Sequence, residues 1–230
     1  MAEVAKDLRI TRDALFGGRV ALAQPARSTA KYRVNVDAIH LASFAHLPSR
    51  CARAAVDLGA GVGAVALSLV HLGAAARVTL IENDAALAAL ARMNAEANAW
   101  ADRLEVVLGD VADRTLVAAG SADLVVCNPP YVAPGRGRPA LSPRAAARSG
   151  ALETFLDAAR RLAGRRARVC FVYPAVEATT LLVSLRQRGL EPKRLRLVHA
   201  KAAAPARIVL VEALPAKPGG LVVEPPLVEG

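Results

Sequence analysis

Ala54-Ala55-Val56-Asp57-Leu58-Gly59-Ala60-Gly61-Val62-Gly63 is a short apolar run that ends in an acid and breaks into a glycine turn. The run has strand length, and the alanine- and leucine-rich stretch after the turn, to about Leu72, reads as a helix. The same alternation continues downstream. Arg77–Ile81 reads as a strand, Asp84–Ala99 as a helix, and Leu104–Leu108 and Asp123–Cys127 as two more strands. Short apolar strands alternating with helices specify a parallel sheet covered on both faces.

Beyond Cys127, residues 133–149 are rich in Pro, Gly and Arg and read as a loop. A helix over about 151–163, a strand at Ala167–Val172 and a helix over 175–188 follow. Lys193–His199 and Arg207–Ala213 then form an antiparallel pair closing the sheet edge. Upstream, Gly17-Gly18 marks a turn, Arg19–Ala23 is a short strand ended by Pro25, and Tyr32–Val36 is extended. Asp37 is placed to cap a helix from Ala38 to Ala45 that stops before Pro48. The expected organisation is an N-terminal extension over 1–50 and one α/β domain over 51–230.

Composition narrows the class. With 54% apolar residues the chain suits a packed core, and 30 Lys+Arg against 20 Asp+Glu leave a formal charge of +10. Such an excess favours acidic partners, nucleic acid above all. Cys51, Cys127 and Cys170 are odd in number and widely spaced, which gives neither a disulfide framework nor a zinc site. His40, His46, His71 and His199 show no ligand spacing, so no metal is expected. With no leader-like start and no apolar run of about 18 residues, the expectation is a cytoplasmic chain with no membrane partner.

Three acids and one tetrapeptide carry chemistry. Glycines after a strand let the backbone approach a ligand at the following helix N-terminus. Gly59, Gly61 and Ala64 also satisfy the loose dinucleotide pattern, so the turn alone fits a nicotinamide-binding protein as well. Asp57, at the strand end, suits an ammonium better than a pyrophosphate. Glu82 ends the second strand, where a carboxylate can take both ribose hydroxyls, and Asp110 follows the third, within reach of an adenine amino group. The fourth strand runs into Asn128-Pro129-Pro130-Tyr131. Its prolines stiffen the loop and lack N–H groups. The Asn128 side-chain carbonyl and the Pro129 backbone carbonyl can hold both hydrogens of an –NH2 group, and Tyr131 can stack on the planar group bearing it. Cys127 reads as buried packing and Trp100 likewise. Arg160, Arg161, Arg165, Arg166 and Arg168 read as the exposed face of a helix.

The order Asp57-x-Gly-x-Gly-x-Gly, Glu82, Asp110, Asn128-Pro-Pro-Tyr resembles the class I S-adenosylmethionine-dependent methyltransferases that act on amino nitrogens. A narrower likeness covers nearly the whole chain. Asp13-Ala-Leu-Phe-Gly-Gly-Arg19, Gln24-Pro25, Tyr32-Arg33, Asp37-Ala38, Pro192–His199 and Pro225-Pro226-Leu227 are similar to the bacterial tRNA1(Val) (adenine-37-N6)-methyltransferase family. The resemblance implies a Rossmann-like fold with a seven-stranded, mostly parallel sheet and a C-terminal antiparallel hairpin. It implies S-adenosyl-L-methionine contacts at Tyr32, Arg33, Asp37, Asp57, Gly59, Ala60, Gly61, Gly63, Glu82, Asn83, Asp110, Val111 and Asn128. The target amino group would lie at Asn128, Pro129, Pro130 and Tyr131. Arg136, Arg138, Arg144 and Arg148 would contact the RNA, a tRNA anticodon loop. Ala147-Arg148-Ser149-Gly150 departs from the family's Ala-Arg-His-Glu, and Lys31 replaces its glycine. Other readings of the same tetrapeptide are a protein glutamine N5-methyltransferase and an rRNA guanine N2-methyltransferase. A nicotinamide dehydrogenase would need a Tyr-x-x-x-Lys or His–Asp set that is not seen, and a non-catalytic RNA-binding module would not need every cofactor position filled.

Overall fold

The computed structural model describes residues 9–26, 34, 36–129 and 143–229, those from 143 to 151 as backbone only. Five parallel strands form the centre: β3 (Ala52–Leu58), β4 (Ala75–Glu82), β5 (Leu104–Leu108), β6 (Ala122–Cys127) and β7 (Ala163–Pro174). β8 (Glu191–His199) and β9 (Ala206–Leu214) complete the order β8-β9-β7-β6-β3-β4-β5. β9 is antiparallel to both β7 and β8. The mostly parallel sheet with a terminal hairpin is therefore as the alternation of apolar runs specifies. Two further strands of two residues each, β10 (Val222–Val223) and β11 (Leu227–Val228), run parallel to β8 on its outer edge.

Alternation along each strand sorts the core into two layers. Ala55, Val78, Leu80, Leu124 and Val126 pack with α1 (Asp37–Ala45), α2 (Ala64–His71) and α3 (Ala85–Ala97). Val56, Leu58, Val125, Cys127 and Phe171 pack on the other face with α4 (Pro143–Leu162) and α5 (Ala178–Gln187). Period-2 patterning thus puts Asp57, between Val56 and Leu58, on the α2 side. No helix among the described residues is long and apolar enough to cross a membrane.

Several local expectations are corrected. β1 (Ile10–Leu15) pairs antiparallel with β2 (Val20–Pro25) across the Gly17-Gly18 turn, a partner the polar Thr-Arg-Asp run conceals. Asp37 does not cap α1: Val36 occupies that position, and the Asp37 carboxylate, within the first turn, lies 2.6 Å from Arg207 Nη1. Asp84 does cap α3, accepting from the N–H groups of Ala86 and Leu87. α4 begins at Pro143, so residues 143–149 are helical rather than loop. Proline is favourable in a first helical turn, and Arg144-Ala-Ala-Ala-Arg148 is a run of strong helix formers. Arg165, Arg166 and Arg168 lie on β7 rather than on a helix, and Arg168 is buried. Tyr32–Arg33 and Pro130–Ser142 lie outside the described residues.

Buried polar groups fix the parts that border the sheet's carboxyl edge. Asn94 of α3 donates to the carbonyls of Ala23 (2.9 Å) and Val62 (2.9 Å) and accepts from Ala23 N–H (2.6 Å). One side chain therefore ties β2 to the glycine turn. Asn98 repeats the pattern one turn on, bonded to the N–H and C=O of Ala21. At the far end of α1, Arg168 Nη2 donates to Ala45 O (2.7 Å) and Arg194 Nη2 to Phe44 O (3.0 Å). Glu212 sits between the two guanidinium groups, at 2.6 and 3.0 Å. Cations on a helix's last carbonyls complement its dipole.

Removing Asn94 leaves a buried N–H and two carbonyls unmet. Asn94→Ala is expected to destabilise by on the order of 2–3 kcal/mol in chemical denaturation. Asn98→Ala, at a more exposed position, should cost less.

Candidate active site

Strand order reverses between β3 and β6: the chain leaves β3 toward β4 and β5, and later returns to the opposite side of β3 as β6. Open α/β sheets form a crevice at such a point, outside the carboxyl ends of the strands. A cavity of about 410 Å³ occupies it, within the size range of small-ligand sites. Asp57, Glu82, Asp110 and Asn128 border it, at or just past the ends of β3, β4, β5 and β6. Four positions separated by up to 71 residues in the chain are thereby gathered at one edge.

The glycine turn is pinned by Gly59 N–H and Ala60 N–H, both donating to Ile81 O at 2.9 and 3.0 Å. Gly59 has φ +66°, and a Cβ there would lie 3.0 Å from the Phe155 ring. Gly63, at φ +85°, starts α2 in the left-handed region with Leu80 at 3.0 Å from where a Cβ would stand. Both sites demand glycine on conformational and steric grounds.

Glu82 links the turn to the next strand. Its Oε2 accepts from Gly61 N–H (2.7 Å) and its Oε1 from Asp84 N–H (2.8 Å). A carboxylate has about four lone-pair directions, so each oxygen keeps acceptor capacity toward the cavity. Asp57 is almost wholly buried, and its Oδ2 accepts from Ala66 N–H in the first turn of α2 at 3.2 Å. Burial pushes its pKa up to about 8; the Ala66 bond opposes that rise and the nearby Glu82 charge adds to it. Asp110 Oδ1 accepts from Ala112 N–H (2.8 Å), closing its own turn, while Gly109 N–H donates to Glu82 O. The turn-forming and cleft-bordering readings of Asp110 are thus both met by the geometry.

Of the other residues singled out in the sequence, Ala60, Gly61, Asn83 and Val111 also line the cavity, whereas Gly63, at the N-cap of α2, does not. Asp37 is not a wall of the cleft. Its carboxylate faces Arg207 on β9, and α1 instead contributes Ala38. Arg144 and Arg148 lie on the α4 backbone. Tyr32, Arg33, Pro130, Tyr131, Arg136 and Arg138 fall outside the described residues. Cys127 is fully buried, its thiol donating to Leu58 O at 3.6 Å, and burial pushes its pKa well up, which suits packing rather than nucleophilic chemistry.

Sequence reasoning missed the apolar walls: Val34, Ala38, Leu87 and, from α4, Phe155. Phe155 shares its helix face with Leu152 and Leu156, so its spacing is that of an ordinary core residue. Val34 is brought in by Gln24, whose Oε1 accepts from Val34 N–H (2.9 Å) while its Nε2 donates to Asp13 (2.8 Å).

The raised Asp57 pKa has a defined sign. The folded state keeps the proton up to about pH 8, while the unfolded chain releases it near 4. Between these values the folded state holds more protons, so stability falls as pH rises and levels off above about 8. Asp57→Asn should be more stable than the parent at pH 8, by about 2–5 kcal/mol, with the difference shrinking toward pH 4. Equal melting temperatures of the two proteins across this range would contradict a neutral Asp57.

The chain matches the model of the methyltransferase small domain over residues 34–150. It is 31% identical to a tRNA1(Val) (adenine(37)-N6)-methyltransferase of Erwinia tasmaniensis, over 81% of this chain and 76% of that protein. Against the protein of the same description from Dickeya chrysanthemi the identity is 33%, over 78% and 71%. Among solved structures, M. jannaschii TYW2 in complex with AdoMet superposes with a TM-score of 0.60 at 16% identity, over 89% of this chain and 84% of that one.

Proposed function

The chain belongs to the methyltransferase small domain family, and we propose that it methylates the N6 amino nitrogen of an adenine in RNA, at position 37 of a valine tRNA. It is an S-adenosylmethionine-dependent methyltransferase. The observation that carries the reading is the gathering of Asp57, Glu82, Asp110 and Asn128 around one cavity at the strand-order reversal. The RNA target rests on the two relatives of known description.

The residues present fit the cofactor. Asp57 is a buried acid whose pKa is raised by burial, and the cofactor's ammonium group would supply the cation that favours its charged form. The acceptor capacity left on Glu82 suits the two ribose hydroxyls. Val111 and Leu87, both lining the cavity, would offer apolar walls to the adenine, and Asp110 would accept from its amino group. Val34 and Ala38 would be the contribution of residues 1–50, and residues 51–230 would form the methyltransferase domain proper. When bound, S-adenosylmethionine supplies an electrophilic methyl group on a cationic sulfur.

Asn128 and Pro129 act on the other reactant. The Asn128 side-chain carbonyl and the Pro129 backbone carbonyl would accept the two hydrogens of the target –NH2. These bonds fix the nitrogen and turn its lone pair out of conjugation with the ring, toward the cofactor side of the cleft. Tyr131 would stack on the base. An anticodon-loop base can leave its stack at modest cost to reach such a pocket. Arg136, Arg138, Arg144 and Arg148 would hold the flanking phosphates. The protein would act in the cytoplasm, where its tRNA substrate is.

Nucleoside mass spectrometry of tRNA from cells with and without the gene tests the reading directly. N6-methyladenosine at position 37 of the valine tRNA should vanish on deletion, and an unchanged spectrum in every tRNA fraction would sink the assignment. Asn128→Ala should lower transfer by at least about 100-fold while cofactor affinity changes only a few-fold. An equal loss of both would make Asn128 a cofactor ligand rather than a target ligand.

A further inference from the structure

The described basic residues are not concentrated at the cleft. Across the amino-terminal edge of the sheet, Arg53 is the second residue of β3, Arg77 lies at nearly the same level on β4, and Arg165 and Arg166 stand on β7. The last pair is thrust outward by an irregularity in the ladder. Ala122 pairs with Ala163 and Leu124 with Arg168, so Asp123 alone faces the four residues Gly164–Ala167. Arg50 lies alongside, its Nη2 donating to Arg166 O at 3.2 Å. A second open cleft of about 430 Å³ adjoins this bulge, walled by Arg160 and Arg165 among small residues and Pro215.

These cations differ from the rest of the arginine complement. Arg168, Arg188, Arg194 and Arg207 are each held by carboxylates. Among the described residues, no ion pair involves Arg50, Arg160, Arg165 or Arg166. Asp123, the acid nearest the bulge on β6, is 3.7 Å from the Arg53 Nε and already accepts from two backbone N–H groups of β3. The Arg53 side chain remains 92% exposed. The dipole of α4 accounts for Arg160 in its last turn, but not for arginines on a bulge or at a strand start.

We propose that this edge, at Arg53, Arg165 and Arg166, is a second RNA-docking surface that grips the phosphodiester backbone of the substrate away from the target base. The inference rests on the RNA reading given above. β3 runs seven residues, so the edge lies about 20 Å from the cleft. A short loop cannot reach both places, whereas a folded RNA with a duplex arm lying along the protein can. Duplex RNA is held chiefly through its shape and backbone, which exposed guanidinium groups suit without reading sequence.

The test compares full-length valine tRNA with its isolated anticodon stem-loop, using the parent protein and the triple variant Arg53→Ala, Arg165→Ala, Arg166→Ala. All three side chains are exposed, and an unchanged melting temperature checks the fold. The variant should bind full-length tRNA about tenfold or more weakly near 0.1 M salt, and its plot of log affinity against log salt should flatten by about 2–3. Methylation of the stem-loop and cofactor affinity should be unchanged. Full-length affinity and slope equal to the parent's would overturn the proposal and assign the patch to another acidic partner. An equal loss on both RNAs would overturn it too, because the contact would then lie near the target. Patch-dependent tRNA binding without adenine methylation would count against the catalytic reading and for the docking surface.

Discussion

The sheet diverges at β3. Its crossovers run first toward β4 and β5 and later to β6 on the other side, and the helices that cover the two halves cannot both close over the gap between them. Whatever the chain places after those strands faces a crevice. The left-handed glycines, the backbone bonds to Ile81 and the Asn94 amide all shape the walls of this opening. A structure built in this order needs little further design to bind a flat, polar ligand, because backbone N–H groups and strand-end side chains already converge.

The opening carries an electrostatic cost. Asp57 and Glu82 are both buried acids at neighbouring strand ends, and burial together with the nearby Glu82 charge disfavours charge on Asp57. Solvating them with cations of the chain itself would stabilise the fold and fill the site. Instead paired cations lie elsewhere, at the two ends of α1: Arg207 against Asp37, and Arg168 with Arg194 around Glu212. These pairs hold in place the helix that offers Ala38 to the cleft, and among the described residues no cation of the chain is paired with Asp57. Stability is thus spent near the site and recovered around its supports, a pattern common where binding groups must be preorganised.

Net charge names a class of partner but not the surface that meets it. The +10 excess favours an acidic partner without locating its contact, and among the described residues the unpaired arginines of the central sheet lie at its amino-terminal edge. Net charge sums over all positions, while partner contact depends on which guanidinium groups escape ion pairing, and that is set by packing.

Period and punctuation were enough for the main architecture. Apolar runs of strand length separated by helical stretches specify that β3 to β7 are parallel, and the acids at the run ends single out Asp57, Glu82 and Asp110 because open sheets of this kind form their crevice beyond the strand ends. What pattern could not supply depended on partners distant in sequence. β1 has a polar, half-exposed sequence and exists because β2 pairs with it. Asp37 looked like a helix cap until Arg207, 170 positions later, was brought against it. Phe155 and Val34 are spaced like any core residues, and only the meeting of α4, the glycine turn and the Gln24 bond turns them into cavity walls. Local periodicity records which face of an element is apolar, and tertiary contact decides whether that face meets the core or a ligand.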